Sequence, residues 1–211
     1  MFLGRKKVKM FKKIISYYFY LIITTFVFIT SPNNASENSS AISIGDKNAK
    51  ITVKVFSSLT CPHCAHFHNN VFKNLKKDFI DKGTLKFEHH GFPLDLAALN
   101  AEKIINCTSN EEKKLVFLNE LYEKQNIWAV GSDINSINSK LGKMAKNYDL
   151  NDDKVKSCLT NEKLEEEILN KRIDGHKKYN IKSTPTILIN EKIYQGNHEY
   201  KSFKNAIEKL L

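Results

Sequence analysis

The run Ser58-Leu59-Thr60-Cys61-Pro62-His63-Cys64-Ala65-His66-Phe67-His68 decides how this chain is read. Just before it, Ile51 to Phe56 (ITVKVF) alternates apolar and polar residues and is rich in β-branched ones, the pattern of a strand. From Cys61 to Ile80 the pattern is helical, because Ala65, His68, Phe72, Leu75 and Phe79 recur at three- and four-residue spacing. Thr84 to His90 (TLKFEHH) alternates again, with Leu85 and Phe87 on one face. Strand, helix, strand is a βαβ unit, which normally makes a parallel pair with a right-handed crossover.

A Cys-x-x-Cys that follows a strand and opens a helix reads as a redox pair rather than as half of a zinc site. Two residues three apart on a helix share one face, with Cβ atoms roughly 5–6 Å apart. A disulfide needs roughly 3.5–4.5 Å, so a slight tightening of the first turn lets the pair open and close. Pro62 suits the first helical position, where its missing N–H costs nothing. Cys61 then occupies the N-cap, where the helix dipole and free N–H groups favour an anion, here the thiolate. His63 adds a positive charge or a donor nearby. Cys64, one turn deeper, is expected to be the less accessible, resolving thiol. Stabilising the Cys61 thiolate stabilises the reduced protein and makes its disulfide the stronger oxidant.

Outward from this core, residues 94–180 read as helix after helix: Leu94 to Cys107, Glu111 to Gln125, Asp133 to Tyr148, Asn151 to Leu159, and Asn161 to Tyr179. Breaks fall at Thr108–Asn110, Trp128–Ser132 and near Asn151. Strands return at Thr186 to Ile189 (TILI) and Lys192 to Gln195 (KIYQ), flanking Asn190-Glu191 as a tight hairpin turn. Glu199 to Leu211 closes the chain as an amphipathic helix. The sum is βαβ, a helical block, then ββα. The domains drawn from this are 51–93 with 181–211, and 94–180 as an insertion. Residues 36–50 read as a polar tail.

At 211 residues, with 41% hydrophobic and 27% charged residues, the chain has a globular balance. Its net charge of +10 invites a nucleic-acid reading, but six basic and no acidic residues lie within positions 1–35. The rest carries 27 basic against 23 acidic residues, a net of +4, so no nucleic-acid role is expected. Ile14 to Ile29 is a 16-residue apolar run behind that basic start. As a helix it spans roughly 24 Å, short of the roughly 30 Å of a bilayer core. Small polar residues follow. This is the layout of a signal peptide over 1–35, cleaved near Ala35 or Ala41, with an uncleaved anchor as the alternative. Either way the remainder is exported to a disulfide-permissive compartment, taken as the periplasm, or is held at the membrane facing the periplasm or cell exterior.

The run from Ser58 to His68, together with Ser183-Thr184-Pro185-Thr186-Ile187-Leu188-Ile189, resembles the DsbA-like thiol:disulfide oxidoreductases over roughly residues 42–211. The resemblance implies an α/β thioredoxin fold, βαβ…ββα, with an all-helical domain inserted between the two halves. It implies Cys61 as the attacking cysteine, Cys64 as the resolving one, and Pro62 and His63 as the tuning dipeptide. Pro185 matches a cis-proline facing the disulfide, and Thr184 presents backbone groups to an extended substrate. The other reading of Pro185 is a trans proline opening an edge strand. The implied activity is the introduction of disulfides into reduced, unfolded exported proteins. It needs no organic cofactor, is completed by a membrane quinone-linked reoxidising partner, and is carried by a monomer. An isomerase or reductase of the same fold, or a soft-metal-binding chaperone, are the alternatives. One position departs from the family pattern: members often place a buried acid six residues before the first cysteine, where this chain has Val55 after Lys54.

Cys107 and Cys158 stand near the ends of two predicted helices, 51 residues apart. In an exported chain the two remaining thiols are expected to pair, and some relatives have a second disulfide in the helical domain. Two buried free thiols behaving as small hydrophobes is the alternative. His66 and His68 could join the cysteines in a metal cluster. On a helix, however, His66 turns roughly 140° from Cys61, so it is expected in solvent and His68 in packing. Trp128 reads as core.

Overall fold

The computed structural model describes residues 41–211, which belong to one compact unit. The expected signal peptide, residues 1–35, lies outside the described residues. A five-stranded sheet has the order β1-β3-β2-β4-β5, built from β1 (Ile42–Ile44), β2 (Ile51–Ser57), β3 (Leu85–Gly91), β4 (Thr186–Ile189) and β5 (Lys192–Ile193). β2 and β3 are parallel, with Val53 opposite Phe87 and Val55 opposite His89; the other pairings are antiparallel. This is the α/β thioredoxin fold with a large helical insertion.

The first helix, α1, begins at Pro62–His66 and continues through a π-helical stretch Phe67–Phe72, an α segment Lys73–Leu75 and a second π-helical stretch Lys76–Ile80. Phe67 and Val71 join Phe72, Leu75 and Phe79 in the core. These side chains pack on Val53, Val55, Ile187 and Ile189 of the sheet and on Phe203 and Ile207 of the closing helix. Each fully buried Phe, Leu or Ile here contributes about 1.5–3 kcal/mol.

The tail expected over 36–50 is corrected at residues 42–44. Ile42 is buried and pairs with His89, and Ile44 pairs with Phe87, so β1 covers the outer edge of β3. Two isoleucines among serines and glycines are too short a pattern to announce a strand. Between β4 and β5, Asn190 and Glu191 both have positive φ, at 47° and 65°, the geometry of a two-residue hairpin turn. Asn190 Oδ1 accepts from the Thr52 N–H at 2.8 Å, and Glu191 pairs with Lys54.

Six helices follow β3: α2 (Leu96–Asn106), α3 (Glu111–Glu123), α4 (Gln125–Trp128), α5 (Ile134–Ala145), α6 (Asp152–Leu159) and α7 (Glu162–Tyr179). Five of them start the same way. Asp95, Asn110, Asp133, Asn151 and Asn161 each accept a hydrogen bond from a backbone N–H in the first turn. α4 occupies residues read only as the end of one helix and the start of a break. It carries Trp128, which is fully buried and donates to the Leu121 carbonyl at 2.8 Å. Cys107 and Cys158 are joined by a disulfide, with Cα atoms 6.2 Å apart. Beside it, buried Lys103 donates to the Leu159 carbonyl at 2.6 Å and pairs with Glu165 at 2.7 Å, tying α2 to α6 and α7. The chain ends with α8 (Tyr200–Glu208).

The helical core is not sealed from the sheet. One cluster holds Phe117, Leu121, Tyr122, Trp128 and Leu141 from the helices together with Ile42, Leu59, Cys64 and Ala65 from the other half. On the sheet's other face α7 approaches Phe56 through Gly175, where a Cβ would lie 2.7 Å from the Phe56 ring. Gly175→Ala is therefore expected to cost about 1–3 kcal/mol, read as a lowered midpoint in denaturant unfolding. Replacing Cys107 and Cys158 together by Ala is expected to cost about 3–4 kcal/mol from the loop they close. The same unfolding experiment reads it, and unchanged stability would contradict a structural role for the bridge.

Candidate active site

Cys61 caps α1 with extended backbone, φ −78° and ψ 120°, and Pro62 opens the helix. The Cys61 carbonyl accepts from the N–H groups of Cys64 and Ala65, each at 3.1 Å. No acidic residue lies in the first turn, so nothing there opposes an anion at the cap. Both thiols are free; Cys61 is partly exposed and Cys64 is 1% exposed.

The Thr184–Pro185 peptide bond is cis and lies against this turn. In its thiol form Cys61 Sγ donates to the Thr184 carbonyl at 3.4 Å. Thr184 Oγ1 is buried without a conventional hydrogen-bond partner. Its hydroxyl donates to a sulfur once that sulfur is ionised, which favours the thiolate at either cysteine.

The two sulfurs differ sharply. The Cys61 pKa is lowered from 9.0 to about 5, first by the Cys64 thiol donating to its thiolate. The Thr184 hydroxyl and the backbone N–H groups of Cys64 and His63 lower it further, against desolvation. Burial, and then the neighbouring Cys61 anion, push Cys64 the other way, well above an ordinary thiol. One sulfur is thus an anion at neutral pH and the other a thiol. The His63 side chain is exposed, and it is its backbone N–H that acts on Cys61.

Two polar residues of the insertion hold the loop before the cysteines. Gln125 Nε2 donates to the carbonyls of Leu59 at 2.7 Å and Cys61 at 3.0 Å. Asp95 accepts from the Thr60 hydroxyl at 2.7 Å while it caps α2 through the Ala98 N–H at 2.8 Å. Sequence reasoning missed both residues and the Thr184 hydroxyl. Asp95 carries a helix-start signal, but nothing in sequence ties it or Gln125 to the motif.

The histidines after the motif separate. His66 is exposed. His68 is buried, bonds Asn119 at 2.6 Å and stacks on Phe72, with ring centroids 4.5 Å apart. Desolvation lowers its pKa to about 3, so it is neutral. Among the described residues no group of three or more His, Cys, Asp or Glu is placed to hold a metal ion. Val55, six residues before Cys61, is buried and apolar.

The chain is similar to proteins of known kind. A thioredoxin family model matches residues 37–209. The Bacillus subtilis "Disulfide bond formation protein D" is 32% identical over 181 residues, covering 80% of this chain and 76% of that protein. A Rickettsia bellii "Putative protein-disulfide oxidoreductase" is 24% identical over 168 residues, and the match spans 63% of its length. The crystal structure of Wolbachia pipientis alpha-DsbA1 superposes with a TM-score of 0.73 at 28% identity, over 87% of this chain and 94% of that one. Fold, cysteine pair and relatives agree: the chain belongs to the DsbA-like thiol:disulfide oxidoreductases of the thioredoxin family.

Proposed function

We propose that this oxidoreductase introduces disulfide bonds into reduced, unfolded exported proteins, and that the Cys61–Cys64 disulfide is its only redox group. The observation that carries the reading is the split between the two sulfurs, with Cys61 lowered to about 5 and Cys64 raised. A substrate thiolate attacks Cys61 Sγ, the Cys61–Cys64 bond breaks, and its electron pair goes to Cys64. A second substrate thiolate then attacks the substrate sulfur of the mixed disulfide, and Cys61 leaves as a stable thiolate. The substrate is oxidised by two electrons and the enzyme reduced by two. A low-pKa leaving group speeds that last step. The backbone at Thr184–Pro185, beside Cys61, is where an extended substrate would lie, because main-chain pairing tolerates many sequences.

The proposal includes an exported, periplasmic location. It rests on the basic and apolar N-terminal run, whether cleaved or kept as an anchor. Among the described residues no helix is long and apolar enough to cross a membrane. Turnover needs an oxidant for Cys61 and Cys64, and a membrane quinone-linked partner is the proposed source. We propose that Cys61, Pro62, His63, Cys64, Thr184 and Pro185 form the working site, with Cys107–Cys158 structural.

The oxidised chain, mixed with a reduced, unfolded protein of two cysteines, is expected to transfer one disulfide per molecule. Cys61→Ser is expected to transfer none, and Cys64→Ser to form no disulfide of its own. Transfer by Cys61→Ser would overturn the assignment. Thiolate absorbance of the reduced chain is expected to titrate near pH 5. Thr184→Val, which keeps the shape and removes the hydroxyl, is expected to weaken thiolate retention about tenfold. The linkage has a definite sign. The lowered Cys61 pKa stabilises the reduced fold most near pH 9, and this contribution is lost as pH falls through about 5, while the raised Cys64 pKa opposes it above pH 9. Parallel melting curves of both forms read it; an advantage that grew in acid would contradict the site's electrostatics.

A further inference from the structure

Three N–H donors converge on one oxygen of the active-site turn. The Cys61 carbonyl accepts from the backbone of Cys64 and of Ala65, each at 3.1 Å, and from Gln125 Nε2 at 3.0 Å. The Ala65 bond closes an ordinary helical turn, and the Cys64 bond a tighter one of the 3₁₀ kind. The third donor comes from the helical insertion. Gln125 Nε2 also donates to the Leu59 carbonyl at 2.7 Å, so one amide group holds two carbonyls of the chain that leads into α1. Gln125 is itself held. It is half-buried and opens α4, a single turn anchored by the fully buried Trp128, and its own carbonyl accepts from the Ala129 N–H at 2.9 Å. Asp95, the insertion's other link to this loop, reaches the Thr60 hydroxyl instead.

The Cys64 N–H has two claimants. At a helix N-cap the side chain accepts from the N–H two or three residues on. For Cys61 these belong to His63 and Cys64, since Pro62 has none to give. Both favour the Cys61 thiolate. In the thiol form, however, Cys61 Sγ turns to the Thr184 carbonyl, and the Cys64 N–H is bonded to the Cys61 carbonyl. Ionisation draws that N–H from the oxygen toward the sulfur. A carbonyl left short of donors resists the exchange. One that keeps Ala65 and Gln125 does not.

We propose that Gln125 is a positioning residue for Cys61: by holding the Leu59 and Cys61 carbonyls it frees the Cys64 N–H for the Cys61 sulfur, and so favours the reduced, thiolate form over the disulfide. The inference rests on the oxidoreductase reading and gives the insertion a share in setting how strongly the disulfide oxidises. Gln125 acts through the backbone of the turn rather than on sulfur.

The test is the thiolate titration of the reduced chain, together with its equilibrium against graded glutathione buffers, in wild type, Gln125→Met and Gln125→Glu. Gln125→Met keeps length and packing without the donors. It is expected to move the Cys61 titration to higher pH and to lower the equilibrium constant for reduction by glutathione about three- to tenfold. Gln125→Glu keeps the shape but sets a carboxylate against the two carbonyls. It is expected to move both readings at least as far in the same direction. A clamp that only stabilises the fold would lower the unfolding midpoint and leave both readings in place. Wild-type titration and equilibrium in Gln125→Met, or a shift to lower pH, would therefore overturn the proposal, and so would failure of both variants to fold. The wild-type equilibrium judges the oxidoreductase reading separately: a wild-type potential well below that of the glutathione pool rejects that reading, whatever the variants do.

Discussion

The first turn of α1 is open on one side and buried on the other, and the chemistry of the two cysteines depends on that difference. Cys61 is partly exposed and the backbone N–H groups of His63 and Cys64 favour its thiolate; Cys64 lies in the helical core with Leu121 and Tyr122. Burial alone would raise both thiols. Donors reach only one of them strongly, so a single helical turn separates an anion from a neutral thiol. The same hydrogen bond, from the Cys64 thiol to the Cys61 thiolate, lowers one pKa and raises the other.

The helical insertion is therefore part of the site. It supplies the apolar wall around Cys64. Through Gln125 and Asp95 it also fixes the carbonyls and hydroxyl of the loop between Leu59 and Cys61. The cis Thr184–Pro185 segment comes from the second half of the thioredoxin fold and closes the opposite side. Three stretches far apart in sequence meet at one cysteine pair.

Much of this was legible in the sequence where the signal is local. The strand before Cys61, the helix after it and the Asn190-Glu191 hairpin follow from period and turn chemistry, and the order βαβ, helices, ββα follows from them. Helix boundaries agree to within a few residues because Asp or Asn caps mark the starts. β1 was not legible, since its pairing with β3 rather than its three residues makes it a strand. The π-helical turns of α1 were not either, because the period was read as uniformly 3.6. At the site, spacing singles out Cys61 and Cys64. The Thr184 hydroxyl and Gln125 emerge only when separate elements pack. Their roles depend on distance in space, which no run of sequence encodes.

The central claim is that stabilising the Cys61 thiolate makes this protein an oxidant. The equilibrium of the Cys61–Cys64 couple against graded glutathione buffers tests it directly. The account predicts a potential well above that of the glutathione pool, so that the reduced form dominates until the buffer is strongly oxidising. A potential well below the pool would mean a disulfide that resists reduction and thiols that act as reductants, and would contradict the account.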